Sequence, residues 1–76
     1  MRGVARVEHV GNMLHVRLPY NERLVRSFQE DVPWRARWWL STERCWRVRP
    51  IYMPTIRQLC EDYGVELVEV ANAPTD

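Results

Sequence analysis

The chain has 76 residues, 46% hydrophobic and 28% charged, with eleven basic residues against ten acidic ones and a net charge of +1. These values fit one small globular domain and exclude an intrinsically disordered chain. No apolar run approaches the roughly 18 residues of a membrane span, and the N-terminal MRGVARVEHV lacks a signal-peptide apolar stretch.

A chain of this size buries only about 60–65% of the surface its unfolded form exposes, so the core is small and each large aromatic counts. Cys45 and Cys60 form no CxxC pair. Without a secretory signal they read as reduced thiols in a cytoplasmic protein. The net charge conceals an asymmetry. From Met1 to Arg57 there are eleven arginines against Glu8, Glu22, Glu30, Asp31 and Glu43; from Gln58 onward there are five acidic residues and no basic one. All basic residues are Arg and none is Lys. A GC-rich genome accounts for that bias, and so does a site selected for planar, bidentate donors.

Residues 4–18 read as a β-hairpin. Leu14, Val16 and Leu18 alternate with Met13, His15 and Arg17, and Gly11-Asn12 tolerates the positive φ of a two-residue turn. Pairing across that turn puts Ala5, Val7 and His9 on the face of Leu18, Val16 and Leu14. The other face carries Arg6, Glu8, Val10, Met13, His15 and Arg17. Asn21 is suited to an N-cap and Glu22 to the first helical turn, and Leu24, Val25 and Phe28 form an apolar stripe. A helix is therefore predicted from Glu22 to Asp31, stopped by Pro33. Ala36–Leu40 and Cys45–Arg49 form a second hairpin around Ser41–Arg44. Pro50 and Pro54 bracket a connection, and Pro54 opens a second helix whose Ile56, Leu59, Cys60 and Tyr63 face inward. Gly64 fits a C′ position. Val65–Val70 reads as a fifth strand, and residues 71–76 as a flexible tail. The order ββαββα(β) predicts an α+β two-layer sandwich over residues 1–70: a mainly antiparallel sheet with both helices on one face and the other face open.

The segment Trp34–Arg49 holds all four tryptophans and five of the eleven arginines, with Glu43 as its one acidic residue. Pairing Leu40 with Cys45 sets Trp39 opposite Trp46, Arg37 opposite Val48 and Trp38 opposite Arg47. Trp39, Trp46 and Val48 are then core residues. Trp38, Arg47 and Arg49 lie on the open face beside Cys45, joined by Arg6, His15 and Arg17. A shift of one residue in register would exchange the roles of the residues on the first strand of this hairpin. Trp34 reads equally as a lid over a helix end and as a ligand contact. Trp38 flanked by arginines is either a cation–π arrangement or a platform for a stacked base, and the platform is the favoured reading.

Catalytic and metal signals are weak. Neither histidine sits at metal-ligand spacing with the cysteines, Glu61-Asp62 reads as a solvated helix end, and there is no glycine-rich phosphate loop. Cys45 beside arginines is a candidate for a lowered pKa, but a strand cysteine is usually inert. The expectation is a non-enzyme without cofactor or metal.

The residues Leu18-Pro19-Tyr20-Asn21, Leu24-Val25-Arg26-Ser27-Phe28, Asp31-Val32-Pro33, and Arg37-x-Trp39, six residues, Trp46-x-Val48 resemble the HARP (HepA-related protein) domain. That module belongs to DNA-annealing, SNF2-type helicases, and similar segments occur in small bacterial and phage proteins. Trp39 and Trp46 match its aromatic strand positions, Pro33 its post-helix proline, and Ile56 with Leu59 its second helix. The resemblance spans Val16 to Gly64 and implies recognition of branched or forked DNA. The chain departs from the family in its turn, Leu40-Ser41-Thr42-Glu43-Arg44, and in having no ATPase, so the implied activity is binding alone.

The expected function is a small DNA-binding module for single-stranded or forked DNA, working as a monomer or weak homodimer beside a helicase or other DNA-processing protein. Trp38 would stack on a base, Arg6, Arg17, Arg37, Arg47 and Arg49 would contact phosphates, and Arg44 and Trp34 would lie at the rim. The alternative is a protein-interaction or regulatory module using the same Trp/Arg surface, with the acidic fifth strand pairing edge-to-edge with a partner or a second copy.

Overall fold

In a computed structural model, which describes residues 3–71, the chain runs β1 (Val4–Val10), β2 (Met13–Arg17), α1 (Glu22–Asp31), β3 (Arg37–Leu40), β4 (Cys45–Val48), α2 (Met53–Asp62) and β5 (Glu66–Val70). Short 3-10 turns at Trp34–Ala36 and Pro50–Tyr52 precede β3 and α2. The tail expected at 71–76 lies outside the described residues except for Ala71.

Five strands form one sheet in the order β3-β4-β2-β1-β5, antiparallel except for the β1–β5 pair. β2 and β3 therefore run parallel, as do β4 and β5. Each pair is joined by a helix: α1 passes over β4, and α2 passes over β2 and β1. These crossovers start from antiparallel strands and travel in opposite directions along the sheet. With the same hand, both helices must land on the same face. The expected two-layer α+β sandwich results, and among the described residues no helix lies over the other sheet face.

Local chemistry fixes the elements. Gly11 takes φ +60 while Asn12 does not, so the first turn has the II′ pattern with glycine at its first central position. Asn21 Oδ1 accepts from the Leu24 backbone N–H at 3.1 Å, capping α1, and Glu22 lies in its first turn. Pro54 occupies the first turn of α2, and Gly64 (φ 64) follows its end. The fifth strand begins at Glu66. Val65 is instead buried, with its N–H bonded to the Cys60 carbonyl at 2.8 Å. Ala36 belongs to the 3-10 turn rather than to β3, although its carbonyl still accepts from the Arg49 N–H.

The core lies between the helices and the sheet. Ala5, Val7, Leu14, Val16 and Val48 meet Leu24 and Phe28 from α1 and Ile56, Leu59 and Cys60 from α2. Phe28 is the largest fully buried side chain and packs on Trp46 with ring centroids 5.5 Å apart. Tyr63 packs against this core and its hydroxyl lies 2.6 Å from Ser27 Oγ, tying the two helices together. Trp39 departs from its expected core role, being 52% exposed. It points to the helix side as the register requires, but β3 is the edge strand, and α1 does not reach far enough to cover it. Trp39 packs only edge-on against Trp46, at 5.2 Å and 63°.

Candidate functional site: the open sheet face and the edge strand

The second hairpin has the register Leu40–Cys45, Trp39–Trp46, Trp38–Arg47 and Arg37–Val48, and β4 pairs with β2 through His15–Arg47. With Glu8 opposite His15 and Val70 opposite Glu8, one row crosses the open face: Trp38, Arg47, His15, Glu8, Val70. Trp38 is 42% exposed at its outer end. The Arg49 guanidinium lies 5.7 Å from the Trp38 ring centroid, a cation–π arrangement that holds both groups near one position. Arg47 and Arg49 are exposed, and among the described residues neither has a carboxylate within 4 Å. Chemically, this end of the face offers a flat apolar ring flanked by donors.

The inner end of the face is different. Arg17 donates through Nη1 to Glu8, and Arg6 lies 3.9 Å from the same carboxylate. Two of the expected anion contacts therefore share one internal counter-charge. Arg17 also donates to the Glu43 carbonyl at 3.5 Å, in the turn beyond Cys45. Cys45 is fully buried on this side of the sheet, outside the helix-side core. Burial pushes its thiol pKa up, and nearby Arg17 only partly opposes the shift. The thiolate is disfavoured, in line with an inert strand cysteine rather than an activated one.

Arg37 does not join the open face. Its position opposite Val48 turns it to the helix side, where Nε donates to the Val32 carbonyl at 3.2 Å and Nη2 to the Gln29 carbonyl at 3.4 Å. The guanidinium also lies 5.4 Å from the Trp46 centroid. Its donors satisfy carbonyls at the C-terminal end of α1, a structural role. Trp34 is 71% exposed, with the Arg35 guanidinium 5.4 Å from its ring centroid, so its ring stands in solvent rather than covering a helix end.

Arg44 closes the four-residue turn with φ 54, an unusual conformation for a residue with a Cβ that costs on the order of 1 kcal/mol. It borders a groove of about 610 Å³ between α1 and the second hairpin. Leu18, Val25, Trp39 and Trp46 form its apolar surfaces, and Arg26 and Arg44 supply charge. This groove is not apparent in the sequence, because Trp39, on the helix side of its strand, is expected in the core. The available signal is the position of Trp39 in the outermost hairpin strand, where burial on the helix side is least complete.

Among the described residues, no group of three or more His, Cys, Asp or Glu is placed to hold a metal ion, and no helix is long and apolar enough to cross a membrane. The chain matches no protein-family model, no curated protein and no solved structure.

Proposed function

We propose that this chain is a small, non-catalytic DNA-binding module that engages single-stranded or forked DNA through its open sheet face. The observation that carries this reading is the half-exposed Trp38, flanked by Arg47 and Arg49 without acidic partners among the described residues, on a sheet face that no helix covers. A base stacked on Trp38 takes the place that the Arg49 guanidinium holds over the ring, contributes about 1–3 kcal/mol and tolerates any sequence, while the displaced Arg49 and Arg47 meet phosphates. Arg6 and Arg17 act as secondary contacts, since Glu8 already holds them. On the sequence resemblance to the HARP domain, we extend this proposal to a cytoplasmic helicase or other DNA-processing protein as partner and to a bacterial or phage setting.

Titrating a labelled single-stranded oligonucleotide at rising NaCl tests the proposal. Binding should weaken with a log–log slope near −0.7 per phosphate contact. Trp38→Ala should reduce affinity about 5- to 150-fold. Salt-insensitive association, or unchanged affinity in the variant, removes the reading.

The protein-interaction alternative is favoured by one observation. Among the described residues β3 pairs only with β4 and β5 only with β1, so both outer strands leave an unpaired edge for another strand. Light scattering with gel filtration separates the cases: a tight dimer that protects Trp38 from a quencher would favour this alternative.

A further inference from the structure

Trp38 and Trp39 are consecutive on β3, so the pleat sends their indoles to opposite sides of the strand. β3 is the outermost strand, and both rings are substantially exposed. We propose that the groove between α1 and the second hairpin is a second site for single-stranded nucleic acid. The strand would pass around the β3 edge from the open face, stack a base on Trp39 and place phosphates at Arg44 and Arg26. This inference rests on the open-face reading and extends it to the other side of the sheet.

Three features support this occupant. First, Trp39 is held against Trp46 at 5.2 Å and 63° while 52% of it stays exposed, so little side-chain freedom is lost on stacking. Second, the groove of about 610 Å³ lies within the range that takes small organic ligands. It pairs apolar surfaces from Leu18 and Val25 with the polar groups of Asn21 and Gln29. Third, its charge is complementary to phosphate. Arg26 and Arg44 border it, and among the described residues neither has a carboxylate within 4 Å, against the single acidic lining residue Glu22. An acidic peptide is the competing occupant, since it would use the same arginines. Two adjacent indoles on the two sides of one strand favour instead a polymer that carries a flat group at every unit.

The test compares oligothymidylates of about 4 and about 12 nucleotides, both within the roughly 4–16 nucleotides that one small β-barrel binding fold covers. Trp38→Ala should weaken both. Trp39→Ala should weaken the longer one about 5- to 150-fold and leave the shorter one unchanged. The exposed-surface pair Arg26→Ala/Arg44→Ala should reproduce that pattern without removing a packed ring, and the longer oligonucleotide should shift the amide resonances of Val25, Arg26 and Arg44. If wild-type protein binds neither length, the open-face reading fails and takes this one with it. If both lengths bind but the groove variants and amides do not respond, only the groove site is overturned. The groove site is overturned as well if an acidic peptide library, and not DNA, moves those amides.

Discussion

The guanidinium of Arg37 lies 5.4 Å from the ring centroid of Trp46 while its Nε donates to the Val32 carbonyl at 3.2 Å. This contact divides the arginines of the second hairpin by parity. Arg47 and Arg49 share the open face with Trp38, whereas Arg37, opposite Val48, turns to the helix side and closes the end of α1. Equal charge does not mean equal role, because a period of two separates them.

Replacing Arg37 with Ala should therefore destabilise the fold by about 1–3 kcal/mol, through lost charged hydrogen bonds at a partly exposed site. Oligonucleotide affinity measured on the folded variant should not change. Chemical denaturation and a binding titration on the same preparation check both halves. Arg37→Lys keeps the charge but loses the planar fork, and should recover only part of the stability.

Phe28 joins α1 to Trp46 at the centre of the core. Truncation to Ala should cost about 3–5 kcal/mol. A domain stabilised by only about 0.05–0.15 kcal/mol per residue has little reserve against such a loss. The variant should show a strongly lowered denaturation midpoint, or be largely unfolded at 25 °C, as read by circular dichroism.

Much of the fold is legible because its local signals agree. The Gly11-Asn12 turn, the Asn21 cap, Gly64 and the alternation of both hairpins specify the elements and registers observed. The misplacements have a common source. Periodicity tells which face a side chain takes but not how far the opposite layer extends over it, so Trp39 is expected in the core and stands half out of it. Pairing of long side chains is equally hidden. That Glu8 holds both Arg6 and Arg17 depends on side-chain reach across neighbouring strands. The parallel placement of β5 beside β1 is a long-range choice that no local pattern encodes.

Both cysteines should be unreactive in the folded protein. Cys45 and Cys60 are buried, and burial raises the pKa of each thiol. At pH 7–8, alkylation by iodoacetamide should be slow for the native chain and should accelerate once denaturant exposes the thiols. Rapid labelling of Cys45 in native conditions would contradict its protected position on the open face.

Glu69 receives two hydrogen bonds from Arg57, each 3.0 Å, and His9 lies 3.8 Å away. The hydrogen bond from Arg57 is the main cause that lowers the carboxyl pKa in the folded state. The unfolded chain therefore takes up this proton at a higher pH than the folded one. The contribution of the bridge is complete above the ordinary carboxylate range, and is lost as pH falls through the lowered folded value. Glu69→Gln should flatten this part of the acid limb of the stability–pH curve. Because the bridge is exposed, the change should also shrink at high salt.

The sharpest test of the open face is the carboxylate that restrains it. Glu8 lies between Arg6 and Arg17 and is the acidic member of the row that begins at Trp38. A phosphate approaching these arginines must compete with Glu8, and it meets repulsion from Glu8 as well. Glu8→Gln removes that competition without removing either guanidinium. Oligonucleotide binding should tighten, and the log–log salt slope should steepen by about 0.7 for each arginine released to a phosphate. The fold should be nearly unaffected, since partly exposed ion pairs contribute about 0–1 kcal/mol. Weaker binding on loss of this negative charge would mean that the Glu8–Arg17 pair shapes the binding surface rather than competing with its ligand.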